Sequence, residues 1–191
     1  MNLPNRLTLL RILLSFFLMI FLLTPGFWPK LSALIVFVVA CLTDLWDGRL
    51  ARRMGLVTDF GVLMDPIADK ILVLSAFVAF VQLGLAPAWM VVLIATREFL
   101  VTGLRLFALG RGQVLPAEAA GKHKTVSQMV AISLTLLFLV AREGISLRSG
   151  AAVWVVSGQA GIWYLMLLTV ALTMTSGISF MWRHRKLILN L

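Results

Sequence analysis

Charge is scarce in this chain. Only 13% of its 191 residues are Asp, Glu, Lys or Arg, and eight of these are acidic. Apolar residues make up 61% and the mean hydropathy is +1.00, far more apolar sequence than a core of this size can hide. A water-soluble globular domain is thereby excluded. Cys41 is the only cysteine, so no internal disulfide forms, and it reads as a small apolar packing residue. No alternating pattern of a membrane barrel runs through the chain, and internal repeats and low-complexity tracts are absent. The net charge of +9 is spread over helix ends and loops without a patch of stacking aromatics, which excludes a nucleic-acid surface. The first apolar run lacks a small-residue cleavage site and is read as part of the mature protein rather than as a signal peptide.

What the chain does have is apolar length. A spanning helix needs about 20 predominantly apolar residues. Six stretches qualify: Leu7–Leu23, Leu31–Leu50, Gly61–Leu83, Ala88–Leu109, Thr125–Val140 and Trp154–Met181. Backbone groups in lipid must be bonded within their own segment, so these are expected to be helices. The expectation is an all-α integral membrane protein, one domain over residues 1–191 with six transmembrane helices. Placing the N-terminus in the cytoplasm leaves Arg6, Arg11, Arg49, Arg52, Arg53, Arg105, Arg111, Lys122, Lys124, Arg183, Arg185 and Lys186 inside. Only Lys30, Arg142 and Arg148 then fall outside, as the positive-inside rule demands, and both termini are cytoplasmic. The segment Pro25-Gly26-Phe27-Trp28-Pro29 reads as a tight external turn. Trp28, Trp89, Trp154 and Trp182 fall near span ends, as interfacial anchors do.

Against this apolar background four carboxylates stand out. They occur as Asp44-Leu-Trp-Asp47-Gly48-Arg-Leu-Ala51-Arg52, then eight residues, then Gly61-Val-Leu-Met-Asp65-Pro-Ile-Ala-Asp69. Positions three and four apart share a helix face. Asp44, Asp47, Gly48, Ala51 and Arg52 therefore line one stripe, and Gly61, Asp65 and Asp69 line another. Gly55 serves as a turn between the two helices, with Thr58 or Asp59 as N-cap of the second. Carboxylates at membrane depth are costly to desolvate and mark functional sites. Hard divalent cations such as Mg²⁺ or Mn²⁺ take oxygen ligands and substrate phosphate, so four aspartates suffice for two ions. The small residues Gly48 and Ala51 admit a ligand to the backbone, and Arg52 offers a fork for phosphate.

Arg97 and Glu98 interrupt the fourth apolar stretch, and such charges normally face a bundle interior. An Arg97–Glu98 pair that fixes helix packing is one reading. Arg105 reads either as a snorkelling residue, with Lys122 and Lys124 as positive-inside residues, or together with Lys122, Lys124 and Arg97 as an anion site opposite the aspartates. His123 and His184 are assigned no catalytic role, and the run Arg183-His-Arg-Lys186 reads as an anchor to anionic headgroups.

The pattern D-x-x-D-G-x-x-A-R, eight residues, G-x-x-x-D-x-x-x-D resembles the signature of the CDP-alcohol phosphotransferases, and every fixed position is filled. The resemblance implies that family's six-helix membrane fold, a divalent metal and usually a homodimer. It implies transfer of a phosphatidyl-type group from a CDP-linked donor to an alcohol, with release of CMP. On the matching positions it implies that Asp44, Asp47, Asp65 and Asp69 hold metal and that Asp69 is also the general base. Gly48, Ala51, Arg52 and Gly61 fall at positions associated with the donor. The opening Asn5-Arg-Leu-Thr8-Leu-Leu-Arg11 is similar to the start of bacterial members that make phosphatidylglycerophosphate, where this face lies near the nucleotide; it adds Asn5 and Thr8 to the donor set. Met64–Lys70, Arg97-Glu98-Phe99 followed by Arg105, and Gly121–Thr125 share that similarity, which is weakest over 141–161.

The expectation from the resemblance is therefore CDP-diacylglycerol as donor and glycerol 3-phosphate as acceptor, with Arg97, Arg105, Lys122 and Lys124 on the acceptor phosphate. Membrane lipids are the other partners, nucleic acid is not one, and the site faces the cytoplasm from a bacterial inner membrane. Two rivals stand beside it: a cardiolipin synthase of the CDP-diacylglycerol type and, from a different class, a divalent-cation transporter. A transporter would be expected to place acids or broken helices near the midplane with repeat symmetry. A non-catalytic scaffold leaves the acids unexplained.

Overall fold

The computed structural model describes residues 3–54, 59–112, 119–145 and 151–185. They form six helices, α1 (Leu3–Leu23), α2 (Phe27–Met54), α3 (Asp59–Gln82), α4 (Ala88–Gly110), α5 (Ala119–Ile145) and α6 (Ala151–Arg183), with no strand among the described residues. Each expected apolar stretch is a helix, and most run longer than hydropathy alone marks. Among the described residues four helices are apolar enough to cross a bilayer: α1 over Arg6–Leu23, α2 over Phe27–Asp44, α5 over His123–Gly144 and α6 over Val153–Arg183. The expectation of six such spans meets α3 and α4 differently, because charged groups break their apolar runs. Asp65, Asp69 and Lys70 lie in α3, and Arg97, Glu98 and Arg105 in α4.

The expected external turn is shorter than its proline spacing suggested. α2 already begins at Phe27, and Pro29 sits in its first turn, where a missing amide hydrogen costs nothing. The bend is left to Thr24–Gly26, with Gly26 at φ 108°, a conformation that glycine adopts without strain. At the end of α3, Leu85 N donates to Phe80 O at 2.9 Å and Gly84 N to Val81 O at 3.0 Å. With Gly84 at φ 70° this is the Schellman pattern that closes a helix. Thr58 and Gly55 lie outside the described residues, and Asp59 is the first residue of α3.

α1 packs on α2 and α3, α3 also meets α4 and α5, α2 meets α5, and α6 covers α4 and α5. The core runs through all six helices and includes Leu18, Phe37, Phe77, Phe80, Ile94, Ile132, Leu136 and Met166. Ala33, Ala40, Ala68, Ala76, Ala79 and Ala131 are completely buried, which lets backbones approach closely where lipid offers no hydrophobic drive for association. The outer faces are apolar instead: Leu13, Phe16, Ile20, Val92, Leu137 and Leu168 are all exposed. A surface of this kind faces acyl chains. Cys41 is partly buried against the core, as its sequence context suggested.

Candidate active site

On α1, Thr8, Arg11 and Ser15 recur at helical spacing and are 1%, 1% and 0% exposed, a polar stripe inside an apolar bundle. The stripe is used. Thr8 Oγ1 donates to Asp65 Oδ1 at 2.5 Å, and Arg11 Nη1 lies 2.5 Å from Asp69 Oδ1 and 2.8 Å from Asp44 Oδ1. Arg11 thus ties α1 to both α2 and α3. The N-terminal parts of α1, α3 and α5 and the C-terminal part of α2 meet at this one end of the bundle.

Asp44 and Asp69 also line a cavity of about 130 Å³, together with Lys70, Glu98, Lys124 and Gln128. Glu98, 4% exposed, is paired with Lys124, lies 3.8 Å from Lys70 Nζ and 3.5 Å from Arg97 Nη1, and accepts a hydrogen bond from Gln128 Nε2 at 3.1 Å. Arg97 Nη2 donates to Ser176 Oγ of α6 at 2.9 Å. Burying these charges is sustainable only because each is paired and hydrogen-bonded. A larger groove of about 480 Å³ along α6, lined by Thr175, Ile178, Ser179, Trp182 and Arg183, contains no carboxylate.

The structure brings together Asp44, Asp69 and Lys124 of the expected site residues. Arg97, 8% exposed, does not line the cavity and lies 3.5 Å from Glu98, so the expected interior orientation holds and the packing pair, one of the two readings, forms. Asp65 is held by Thr8. Arg105 does not line the cavity: its guanidinium lies over the Phe180 ring, 5.3 Å from the centroid, and its Nε has no hydrogen-bond partner among the described residues. The side chains of Asn5, Asp47, Gly48, Ala51, Arg52, Gly61 and Lys122 lie outside the described residues, as does that of Trp46.

Among the described residues no three acidic, histidine or cysteine side chains form a metal group. Asp44 and Asp69 nevertheless converge on one cationic nitrogen, so the spot is already a seat for positive charge. An all-carboxylate donor pair of this kind suits a hard divalent ion.

Sequence reasoning left Lys70 and Gln128 without a site role, put Arg11 only on the face near the nucleotide, and left Glu98 without an assigned role. Three signals were available: Arg11 follows Thr8 by one helical turn, Lys70 adjoins Asp69, and Gln128 lies one turn beyond Lys124. The contribution of Ser176 from α6 carried no signal, because nothing in its apolar neighbourhood marks which Ser or Thr faces inward.

The chain belongs to the CDP-alcohol phosphatidyltransferase family, whose profile matches residues 1–175. It is similar to the CDP-diacylglycerol–glycerol-3-phosphate 3-phosphatidyltransferase of Bacillus subtilis (strain 168), 44% identical over 167 residues, covering 81% of this chain and 86% of the relative. The Rickettsia typhi protein of the same name is 36% identical over 170 residues, covering 88% and 91%. The Escherichia coli (strain K12) protein of that name is 36% identical over 173 residues, covering 86% and 91%.

Proposed function

We propose that this protein is a CDP-diacylglycerol–glycerol-3-phosphate 3-phosphatidyltransferase, forming phosphatidylglycerophosphate and CMP in phospholipid biosynthesis. The observation that carries the reading is one cavity lined by both carboxylates and cations, Asp44, Asp69 and Glu98 together with Lys70 and Lys124. Acids and a divalent ion suit the diphosphate of the donor, and the cations suit a phosphorylated acceptor. The similarity to relatives of that name over most of the chain supports the same assignment.

In this reading the primary hydroxyl of glycerol 3-phosphate attacks the phosphatidyl phosphorus, the new O–P bond forms, and the bond to the CMP oxygen breaks. Asp69, whose side chain is 49% exposed and borders the cavity, takes the hydroxyl proton. Bound Mg²⁺ or Mn²⁺, two ions in the fullest version, would neutralise diphosphate charge. Asp44, Asp47, Asp65 and Asp69 would hold them. Asn5, Thr8, Gly48, Ala51, Arg52 and Gly61 bind the donor, and Arg97, Arg105, Lys122 and Lys124 serve the acceptor phosphate.

The same reading places a single domain, 1–191, across a bacterial inner membrane by six spans, with both termini and the cavity cytoplasmic and two copies forming a homodimer. Lipid donor then enters between helices while glycerol 3-phosphate arrives from water.

The test is CMP release by detergent-purified protein with CDP-diacylglycerol and Mg²⁺, comparing glycerol 3-phosphate, phosphatidylglycerol, serine and inositol phosphate. Release with glycerol 3-phosphate alone, lowered about 10²–10⁴-fold in Asp69→Asn, is expected. Release with phosphatidylglycerol instead would move the function to cardiolipin synthesis, and no release with any acceptor would favour ion transport.

A further inference from the structure

Glu98 is buried deep in the bundle, yet it is not one of the motif aspartates. Its carboxylate gathers cations from three helices: Lys70 of α3 at 3.8 Å, Arg97 of α4 at 3.5 Å, and Lys124 of α5 in direct contact. Three positive groups around one carboxylate make this cluster cationic, beside the Asp44 and Asp69 carboxylates that line the same cavity. A phosphate monoester carries roughly −1.5 to −2 at neutral pH. A cluster of three cations held by one carboxylate suits the anionic phosphate of a phosphorylated acceptor and has no counterpart in a neutral one.

Two features show that the cluster is built rather than incidental. Gln128 Nε2 donates to Glu98 Oε1 at 3.1 Å and lies 3.5 Å from Thr173 Oγ1, fixing the carboxylate from the α5 side. On the α6 side a Cβ at residue 177 would lie 2.6 Å from Arg97 Cγ, so only glycine leaves Arg97 its place beside Ser176. Without the carboxylate, mutual repulsion in a poorly screened interior would drive the three cations apart.

We propose that Glu98 is a positioning residue, which preassembles Lys70, Arg97 and Lys124 as the seat for the acceptor's phosphate, with Gly177 providing the gap that Arg97 needs. This rests on the reading of the cavity given above. Preassembly lowers the ordering cost of binding, so its loss falls on acceptor affinity.

The experiment compares wild type, Glu98→Gln and Gly177→Ala in detergent for KM of each substrate, and for thermal protection by inorganic phosphate. Both variants are expected to raise KM for glycerol 3-phosphate about tenfold or more, to change KM for CDP-diacylglycerol less than twofold, and to lose most phosphate protection. A merely structural role would reduce the active fraction and leave both KM values unchanged, which would overturn the proposal, as would a lowered KM for glycerol 3-phosphate. If Glu98→Gln does not fold, Gly177→Ala decides by the same criterion. Should wild type release no CMP with glycerol 3-phosphate, the functional reading fails on its own. Phosphate protection present in wild type and lost in the variants would then still support the seat, and its absence from wild type would overturn it.

Discussion

Arg11 and Asp69 are joined across α1 and α3 at 2.5 Å, and the same guanidinium nitrogen reaches Asp44 of α2 at 2.8 Å. A side chain that is 1% exposed thus supplies the positive charge between two carboxylates that would otherwise repel each other. In the proposed function a divalent cation is held at the same pair of acids.

Replacing Arg11 by Met should therefore destabilise the protein and make its stability depend on divalent metal. Breaking a buried pair costs about 3–5 kcal/mol. Asp44 and Asp69 are 43% and 49% exposed, so solvent relieves part of this and about 1–3 kcal/mol is expected. Thermal melts in detergent with EDTA should show a fall of several degrees, and Mg²⁺ should recover more of it in the variant than it adds to wild type. Equal Mg²⁺ responses in both proteins would contradict the relationship.

Lys124→Met should weaken the acceptor side selectively. Lys124 is 7% exposed, lines the cavity and is paired with Glu98. A hydrogen bond to a charged group contributes about 1.5–3 kcal/mol, so KM for glycerol 3-phosphate should rise by roughly 10- to 150-fold. Initial rates at saturating CDP-diacylglycerol measure this; an unchanged KM would remove Lys124 from the acceptor site.

Much of this architecture was legible in the sequence, and the part that was not has a common cause. Helix number and approximate limits followed from apolar length, since a backbone in lipid has few alternatives to the helix. The aspartate stripes followed from helical spacing. Hydropathy stopped short at α2 because Lys30 and the 44–54 charges conceal a helix that continues past the apolar run. The partners of Glu98 and Arg11 come from helices distant in sequence, and no local period encodes which faces meet. Arg105 illustrates the limit: no local pattern in α4 announces that its guanidinium lies over the ring of Phe180, a residue of α6.

Lys30 gives a test at the opposite end of the bundle. It is 1% exposed, and its Nζ donates to the Leu22 carbonyl and, at 2.9 Å, to that of Thr24, closing the C-terminal end of α1 where carbonyls lack helical partners. Lys30→Met should cost about 2–4 kcal/mol, seen as a lower melting temperature, because buried carbonyls lose a charged donor. KM for both substrates should stay within twofold, since the cavity residues lie at the other end. A changed KM with an unchanged melt would reverse this assignment.

The seam between α5 and α6 depends on a missing side chain. Phe138 stacks on Trp154 with ring centroids 5.2 Å apart, and a Cβ at residue 158 would fall 2.1 Å from Phe138 Cε2. Gly158→Ala must therefore displace the ring, and overpacking of this kind costs about 1–3 kcal/mol. Phe138→Leu alone should cost less than about 1.5 kcal/mol, by loss of the stacked contact. Combined, the two changes should recover most of the Gly158→Ala loss, because the shorter side chain vacates the space that the new methyl enters. Melting temperatures of the four proteins form a double-mutant cycle. A favourable coupling of about 1 kcal/mol or more is expected, whereas additive effects would mean that Gly158 does not make room for Phe138.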